Sequence, residues 1–276
     1  MAQKDKMTAY RICRPILGFI YKLYYNPTII GKENIPKDGS IVVVGNHVHI
    51  MDQCNIIIVT KRCLHYMAKK EYFDGKFAWF FKATGCIPVD RSKKDEHATH
   101  DALEVLNEGH ALGLFPEGTR NGLKEERAKE LYEKYIKEDI SFEDFYKKVK
   151  KNKTSQANYL EELINTKTIT KKEFIENIYD MDSFLRELVR NKKIKEKDYY
   201  ENILLPFKFG AVSMAKKTNS KLVPFAITGD YKFRSKNLTI RIGKPIDPEE
   251  DLESANKKLR KEMLKLIKEN HKNSGK

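Results

Sequence analysis

An uninterrupted apolar run, Ile41–Val44, leads directly into the polar segment Gly45–Asp52. A short β-branched run without polar alternation is typical of a buried strand. Folds of the α/β class place their reactive groups in the loops at strand ends. The run therefore predicts a buried strand of an α/β fold, and the loop that follows it is a candidate functional site.

Two side chains in this loop, His47 and Asp52, could act together. A histidine ring that a carboxylate orients can serve as a general base near neutral pH. On a continuous helix a spacing of five residues separates side chains by about 140°, so the two can meet only where the chain turns. A structural histidine is the commoner explanation of such a spacing. A metal site of His47, His49 and Asp52 is a further alternative, although no additional ligand cluster is visible.

The bulk properties narrow the classes of partner. A length of 276 residues suits one large domain or a domain with an insertion, and the formal net charge of +14 predicts an acidic partner. Such a partner could be nucleic acid, anionic lipid or a phosphorylated substrate. The four cysteines form no CxxC pair and no secretory signal is evident, which favours reduced thiols. None lies next to an activating base, which disfavours a catalytic cysteine.

Near the N-terminus, residues 8–25 are apolar and aromatic but carry Arg11, Arg14 and Lys22. The segment lacks the roughly 20 uninterrupted apolar residues of a membrane-spanning helix. Aromatic rings together with cations favour an amphipathic helix at the membrane interface, within residues 1–25. The alternative is a helix that packs its apolar face on the domain.

Residues 123–202 differ from the rest of the chain because they contain no glycine or proline. Apolar positions recur there in three units, the last of which ends one residue beyond the block. The units are Leu131, Ile140, Phe145 and Val149; Leu160, Ile169, Phe174 and Ile178; and Leu185, Ile194, Tyr199 and Ile203. This periodicity predicts three helical hairpins, with Ser141 and Thr170 as candidate caps. Acidic and basic residues are nearly balanced in this block, so the net positive charge belongs to the remainder of the chain.

A second motif, Phe115–Arg120, lies at the end of another short apolar strand, Ala111–Phe115. The guanidinium of Arg120 offers a planar set of donors suited to a phosphate, and Gly118 lets backbone amides approach one. Taken alone, the motif would be read as a strand-to-loop turn with a surface arginine.

Four blocks in order resemble those of the lysophosphatidic acid acyltransferases of the glycerolipid acyltransferase superfamily. They are Asn46–Asp52 (the NHxxxxD block), Gly85–Arg91, Phe115–Arg120 (the FPEGTR block) and Val223–Ile227. The lead-in Ile30–Pro36 is also similar to the family's approach to its first block. The resemblance covers about residues 8–122 and 203–245, and four ordered blocks make it specific.

The resemblance implies an α/β fold with a central mixed sheet flanked by helices, similar to glycerol-3-phosphate acyltransferase. With the N-terminal interfacial helix and the helical block, the expected organisation is a first part at 1–122, an all-helical insertion at 123–202 and a second part at 203–276. The insertion departs from the family. It could be a lid or spacer without chemistry, or a docking or regulatory module.

The resemblance also implies a reaction, the transfer of a fatty acyl group from a thioester to the free hydroxyl of 1-acylglycerol 3-phosphate, which makes phosphatidic acid. His47 would be the general base and Asp52 would orient its ring. The co-substrate would be acyl-CoA or acyl–acyl-carrier protein, and no metal or bound cofactor is expected. The residues implied to bind the substrate are Arg91, Glu117, Gly118, Thr119 and Arg120. His49 stands where the family often carries Ser, which leaves the acceptor open.

The expected partners are a lysophospholipid, an acyl thioester and an anionic membrane, with no nucleic acid. The expected location is peripheral, on the cytoplasmic face of the cell membrane. One alternative is an enzyme of the same superfamily that acts on another lysolipid or on glycerol 3-phosphate. Another is a non-catalytic basic module that binds membrane or nucleic acid, which intact His47, Asp52, Glu117 and Arg120 argue against.

Overall fold

A computed structural model describes residues 7–90, 92–93, 95–152, 154–235 and 237–274. The chain forms two compact units. The sheet unit comprises the chain up to Pro116 together with the part from Phe207 onward. The helical unit is Glu117–Pro206.

Within the described ranges, seven strands of the sheet unit form one sheet in the order β1-β7-β6-β2-β5-β3-β4. They are β1 (Thr28–Ile30), β2 (Ile41–Gly45), β3 (Leu64–Lys69), β4 (Ile87–Val89), β5 (Ala111–Leu114), β6 (Lys221–Thr228) and β7 (Thr239–Ile242). All neighbouring strands are parallel except β6 and β7, which are antiparallel. The predicted mixed sheet is thereby confirmed.

The described helices, in chain order, are α1 (Thr8–Tyr25), α2 (Asp52–Ile57), α3 (Ala78–Ala83), α4 (Glu96–Asn107), α5 (Glu125–Ile136), α6 (Phe142–Lys150), α7 (Ser155–Asn165), α8 (Lys171–Glu176), α9 (Met181–Arg190), α10 (Glu196–Glu201), α11 (Gly210–Thr218) and α12 (Leu252–Ser274). Short 3₁₀ turns occupy Lys32–Asn34 and Lys70–Phe73. Helices α5–α10 build the helical unit, and the others belong to the sheet unit. In the sheet unit, α4 packs on β3–β5, α11 on β2 and β6, and α12 on β6 and β7.

Strand β2 lies at the centre of the sheet, between β5 and β6. Because side chains alternate along a strand, Ile41 and Val43 point to one face, and Val42 and Val44 point to the other. All four are at most 1% exposed. The apolar run is therefore a strand buried on both faces, as the sequence predicts.

Helix α1 packs on α2 and α3 through one side, which buries Tyr10, Gly18 and Tyr21. Its other side exposes apolar side chains, namely Ile12, Ile16, Leu17, Phe19, Ile20, Leu23 and Tyr24. The packing alternative therefore holds for the side that carries Tyr10 and Tyr21, and membrane attachment through the exposed side stays a prediction. Within the described ranges, no helix has both the length and the apolar character needed to cross a bilayer.

The helical unit contains three consecutive helix pairs, α5–α6, α7–α8 and α9–α10. The repeated leucine and aromatic positions are at most 2% exposed; they are Leu131, Leu160, Leu185, Phe145, Phe174 and Tyr199. Ser141 caps α6 by accepting a bond from the backbone of Asp144, and Thr170 forms a capping box with Glu173 at α8. The repeat pattern therefore marks the positions that form the core of this unit.

Replacing Leu160 with Ala should lower the free energy of unfolding by about 2–5 kcal/mol, because the lost side chain leaves a cavity in a close-packed core. Leu160 is fully buried, whereas Ile136 in the same unit is 58% exposed. Ile136→Ala is the matched control and should change stability by less than about 1 kcal/mol. Urea denaturation followed by circular dichroism measures both, and equal losses would contradict the assignment of Leu160 to the core.

Candidate active site

His47 and Asp52 meet where β2 passes into α2. His47 lies in the loop after β2, and Asp52 is the first residue of α2. A turn closed by the bond from the Asp52 amide to the His49 carbonyl brings the pair together, so that His47 Nδ1 lies 2.8 Å from Asp52 Oδ2. The same oxygen accepts the backbone amides of Val48 (2.6 Å) and His49 (2.8 Å). The chain turn that the sequence requires is thus present.

The arrangement defines the chemistry of the pair. Asp52 is fully buried, and its Oδ2 accepts two backbone amides, so this carboxylate serves as a hydrogen-bond acceptor. An anionic Asp52 can only accept, so the proton between the two groups resides on His47 Nδ1. The neutral ring then has its lone pair on Nε2, the nitrogen that can take up a proton from another molecule.

Asn46 braces the loop against the neighbouring strand β6. Its side-chain amide donates to the Ile227 carbonyl (2.9 Å), and its carbonyl accepts the Ile227 amide (2.8 Å). Gly45 allows this close approach, because a Cβ there would lie 2.1 Å from the Phe225 ring. The loop that carries His47 is therefore held at the carboxyl ends of β2 and β6.

The ring of Phe115 lies against His47. The two ring centroids are 4.2 Å apart and the planes are inclined by 14°. Phe115 follows β5 and also packs on Tyr66 and Phe225. The first residue of the FPEGTR motif thus limits how the imidazole can rotate.

A tyrosine that the sequence analysis did not single out completes the surroundings of Asp52. The Tyr231 hydroxyl donates to Asp52 Oδ1 at 2.5 Å. Asn55 Nδ2 donates to the same hydroxyl (2.6 Å), and the Tyr21 hydroxyl donates to Asn55 Oδ1 (2.7 Å). Burial, followed by the nearby Asp52 charge, raises the pKa of Tyr231 well above its usual value. The hydroxyl therefore stays protonated and remains a donor.

His49, the departure from the family pattern, packs on this tyrosine. Its ring stacks on Tyr231 with centroids 4.1 Å apart, and its Nδ1 accepts the Met51 amide at 3.3 Å. His47 Nδ1 instead faces Asp52. The two histidines thus direct their Nδ1 atoms to different groups.

Two cysteines of the sheet unit are poor nucleophiles. Burial raises the pKa of Cys54 to about 11 and raises that of Cys86 above its usual value. Both therefore remain protonated at neutral pH, and thiols are far weaker nucleophiles than thiolates. These shifts disfavour a covalent cysteine mechanism at either position.

Four of the remaining predicted site residues lie in the helical unit. Glu117, Gly118, Thr119 and Arg120 begin the helical unit. Glu117 is buried, and its Oε2 accepts the Leu205 amide at 2.8 Å. Gly118 has φ of +69°, a conformation that favours glycine. The substrate contacts expected of these four residues stay a prediction.

The loop that carries these residues is fastened just beyond Arg120. The side-chain amide of Asn121 donates to Ser155 Oγ (3.0 Å) and to the Ile203 carbonyl (2.9 Å). Its oxygen accepts the Ser155 amide at 3.0 Å. Arg91, the other cation expected to bind phosphate, lies outside the described residues.

Comparisons with known proteins agree with this architecture. A family model described as Acyltransferase matches residues 26–228. The 1-acyl-sn-glycerol-3-phosphate acyltransferase of Bacillus subtilis (strain 168) is 33% identical over 113 residues, which are 40% of this chain and 57% of that protein. The protein with the same name from Borreliella burgdorferi is 36% identical over 97 residues, 34% of this chain and 38% of its own. The matched region thus spans about half or less of these relatives.

A solved structure extends the similarity of fold. The crystal structure of the 1-acyl-sn-glycerophosphate (LPA) acyltransferase PlsC from Thermotoga maritima aligns with a TM-score of 0.57 at 18% sequence identity. The alignment covers 97% of this chain and 83% of that one. The two proteins therefore share a fold.

Proposed function

Because the chain belongs to the Acyltransferase family, we propose that it transfers a fatty acyl group from an acyl thioester to the free hydroxyl of 1-acylglycerol 3-phosphate. The product would be phosphatidic acid. The observation that carries this proposal is the His47–Asp52 pair, in which Asp52 Oδ2 lies 2.8 Å from His47 Nδ1 and so favours the tautomer with its lone pair on Nε2. The names of the relatives from Bacillus and Borreliella support the choice of acceptor.

The pair can drive this reaction without a protein nucleophile. His47 Nε2 takes the proton of the acceptor hydroxyl as that oxygen attacks the thioester carbonyl. A new C–O bond forms, the C–S bond breaks, and the imidazolium returns the proton to the departing thiolate. Asp52 stabilises the imidazolium and fixes the tautomer throughout.

Charge on other residues would hold the phosphate of the acceptor. Arg120 and Arg91 would supply cations, because a guanidinium binds phosphate with paired hydrogen bonds. Gly118 and Thr119 would shape the loop. Glu117 would hold the glycerol phosphate together with Arg120, and its bond with the Leu205 amide would keep the loop in place.

The exposed side of α1 would attach the protein to a membrane, peripherally and on the cytoplasmic face. Two further exposed rings, Phe77 and Trp79, lie at the start of α3, which packs on α1. Exposed apolar side chains on two packed helices are typical of an interaction site, and aromatic rings suit the lipid headgroup region. Anionic lipids would complement the net charge of +14.

An activity assay of the purified protein tests the proposal. It uses a panel of acceptors and both donors, acyl-CoA and acyl–acyl-carrier protein. We expect the fastest transfer to 1-acylglycerol 3-phosphate and at least about tenfold less to monoacylglycerol, the matched acceptor without phosphate. Faster transfer to another lysolipid or to glycerol 3-phosphate would correct the substrate. Absence of transfer to every acceptor, with salt-sensitive binding of oligonucleotides, would instead favour a binding module.

A further inference from the structure

The two carboxylate oxygens of Asp52 have different partners. Oδ2 faces His47 and two backbone amides of its own loop. Oδ1 receives the hydroxyl of Tyr231, which lies 179 positions further along the chain. The loop thus holds one oxygen, and a residue beyond the end of β6 holds the other.

We propose that Tyr231 is a positioning residue for acyl transfer, whose hydroxyl fixes the Asp52 carboxylate in the orientation that aligns His47. Asn55 of α2 and Tyr21 of α1 fix that hydroxyl in turn. This inference rests on the proposed function, since it assumes that His47 is the base and Asp52 its orienting partner.

The donors and acceptors available determine the direction of each hydrogen bond from Tyr21 to Asp52. The amide nitrogen of Asn55 can only donate, so the Tyr231 hydroxyl accepts from it and must direct its one proton elsewhere. Asp52 Oδ1 is the acceptor of that proton. The Tyr21 hydroxyl donates to the Asn55 oxygen and thereby sets which way the amide faces. Reversing the direction of any of these hydrogen bonds would break another of them.

Burial makes these bonds consequential. Asp52 and Asn55 are fully buried, and Tyr21 is 5% exposed. Burial raises the pKa of Tyr21 and of Tyr231 above the usual tyrosine range, so both hydroxyls remain donors. A buried carboxylate oxygen that loses its donor incurs the full desolvation penalty or rotates to find another partner. Rotation of the carboxylate would disturb the bond to His47 Nδ1.

The aromatic ring of Tyr231 also packs against neighbouring rings. The His49 ring stacks on it, and the Tyr25 ring of α1 contacts it edge-on at a centroid distance of 5.6 Å. His49 thus acts in this arrangement as a packing partner of Tyr231. Helix α1 contributes Tyr21 through the hydrogen-bond chain and Tyr25 through the ring contact, so it belongs to the support of the active site.

Removal of the Tyr231 hydroxyl alone tests the proposal. We expect Tyr231→Phe to lower kcat about 10- to 100-fold, the range for a hydrogen bond to a charged group. KM for acceptor and donor should change by less than about twofold, because the hydroxyl is engaged with Asp52 and Asn55. The matched control is Tyr10→Phe, which removes the hydroxyl of a buried tyrosine in α1. That hydroxyl donates to the Arg62 carbonyl at 3.4 Å. It should leave kcat within about twofold.

A double-mutant cycle separates positioning from general stability. If Tyr231 acts through Asp52, Tyr231→Phe should change kcat by less than about twofold when Asp52 is already Asn. Independent losses that multiply in the double variant would overturn the proposal. So would a wild-type kcat in Tyr231→Phe. Rates are taken per folded protein, as determined by thermal unfolding, so that a loss of stability does not imitate the effect.

Tyr21→Phe provides a second variant, one step further from the reacting groups. It should lower kcat less than Tyr231→Phe does, again with KM unchanged. A larger loss of kcat than in Tyr231→Phe, or a change in KM alone, would contradict the proposed order of the hydrogen bonds from Tyr21 to Asp52. His47→Ala, run in parallel, distinguishes the two levels of inference. Full activity there would remove the proposed mechanism, whereas its loss beside an unaffected Tyr231→Phe would remove only the positioning role.

Discussion

His47→Ala should lower kcat for acyl transfer by at least about 10²-fold, the usual scale of general-base catalysis. Without the imidazole, no group that Asp52 orients remains to take the proton from the acceptor hydroxyl. KM should change little, because the lost interaction is with the transferring proton and not with the phosphate or the acyl chain. Steady-state rates with 1-acylglycerol 3-phosphate measure the loss.

The matched control is His110→Ala. His110 also adjoins a strand, but it precedes β5, and the pairing of Ile41 with Ala111 places it at the amino ends of the strands. His47 lies beyond the carboxyl end of β2. His110→Ala should retain activity within about twofold. Full activity in His47→Ala would exclude the base mechanism, and an equal loss in both variants would point to a folding defect.

The double variant Ile16→Glu/Ile20→Glu should weaken binding to anionic vesicles by at least about 10²-fold. Both side chains lie on the exposed side of α1, at 58% and 54% exposure, and they are one helical turn apart. Burying such a side chain contributes about 1.5–3 kcal/mol, and a carboxylate in its place resists insertion among anionic lipids. Vesicle co-sedimentation measures the change.

The substituted positions leave the buried side of α1, including Tyr21, intact. Turnover of a short-chain acceptor in free solution should therefore stay within about threefold of wild type, while turnover of vesicle-embedded acceptor falls. Ile136→Glu, at a 58% exposed position of the helical unit, is the control and should bind vesicles normally. Unchanged vesicle binding by the double variant would disprove attachment through α1.

Features that depend on residues close together in the chain could be predicted from the amino-acid sequence. The apolar run Ile41–Val44 predicts a buried strand, and the close spacing of His47 and Asp52 restricts them to a turn. The spacing of Leu131, Leu160 and Leu185 marks positions that the structure buries completely. In each case the pattern involves residues within a short segment or at a regular spacing, and such patterns indicate secondary structure and buried positions directly.

The N-terminal helix shows where such reasoning ends. Its composition could not decide between an interfacial helix and a helix packed on the domain. The structure buries the side with Tyr10 and Tyr21, because these two side chains find polar partners in the sheet unit, and it exposes the opposite side. Which side of an amphipathic helix becomes buried depends on the surface that receives it.

Sequence alone identified the α/β class, the family resemblance and the pair of His47 with Asp52, because all three are encoded in short segments. The positions of Tyr231 and Asn46 relative to that pair required the tertiary structure. Both contacts exist because β6 lies beside β2, so that Asn46 bonds Ile227 and Tyr231 reaches Asp52. Strand order arises from the packing of the whole sheet, and a contact across 179 positions leaves no local pattern from which it could be inferred.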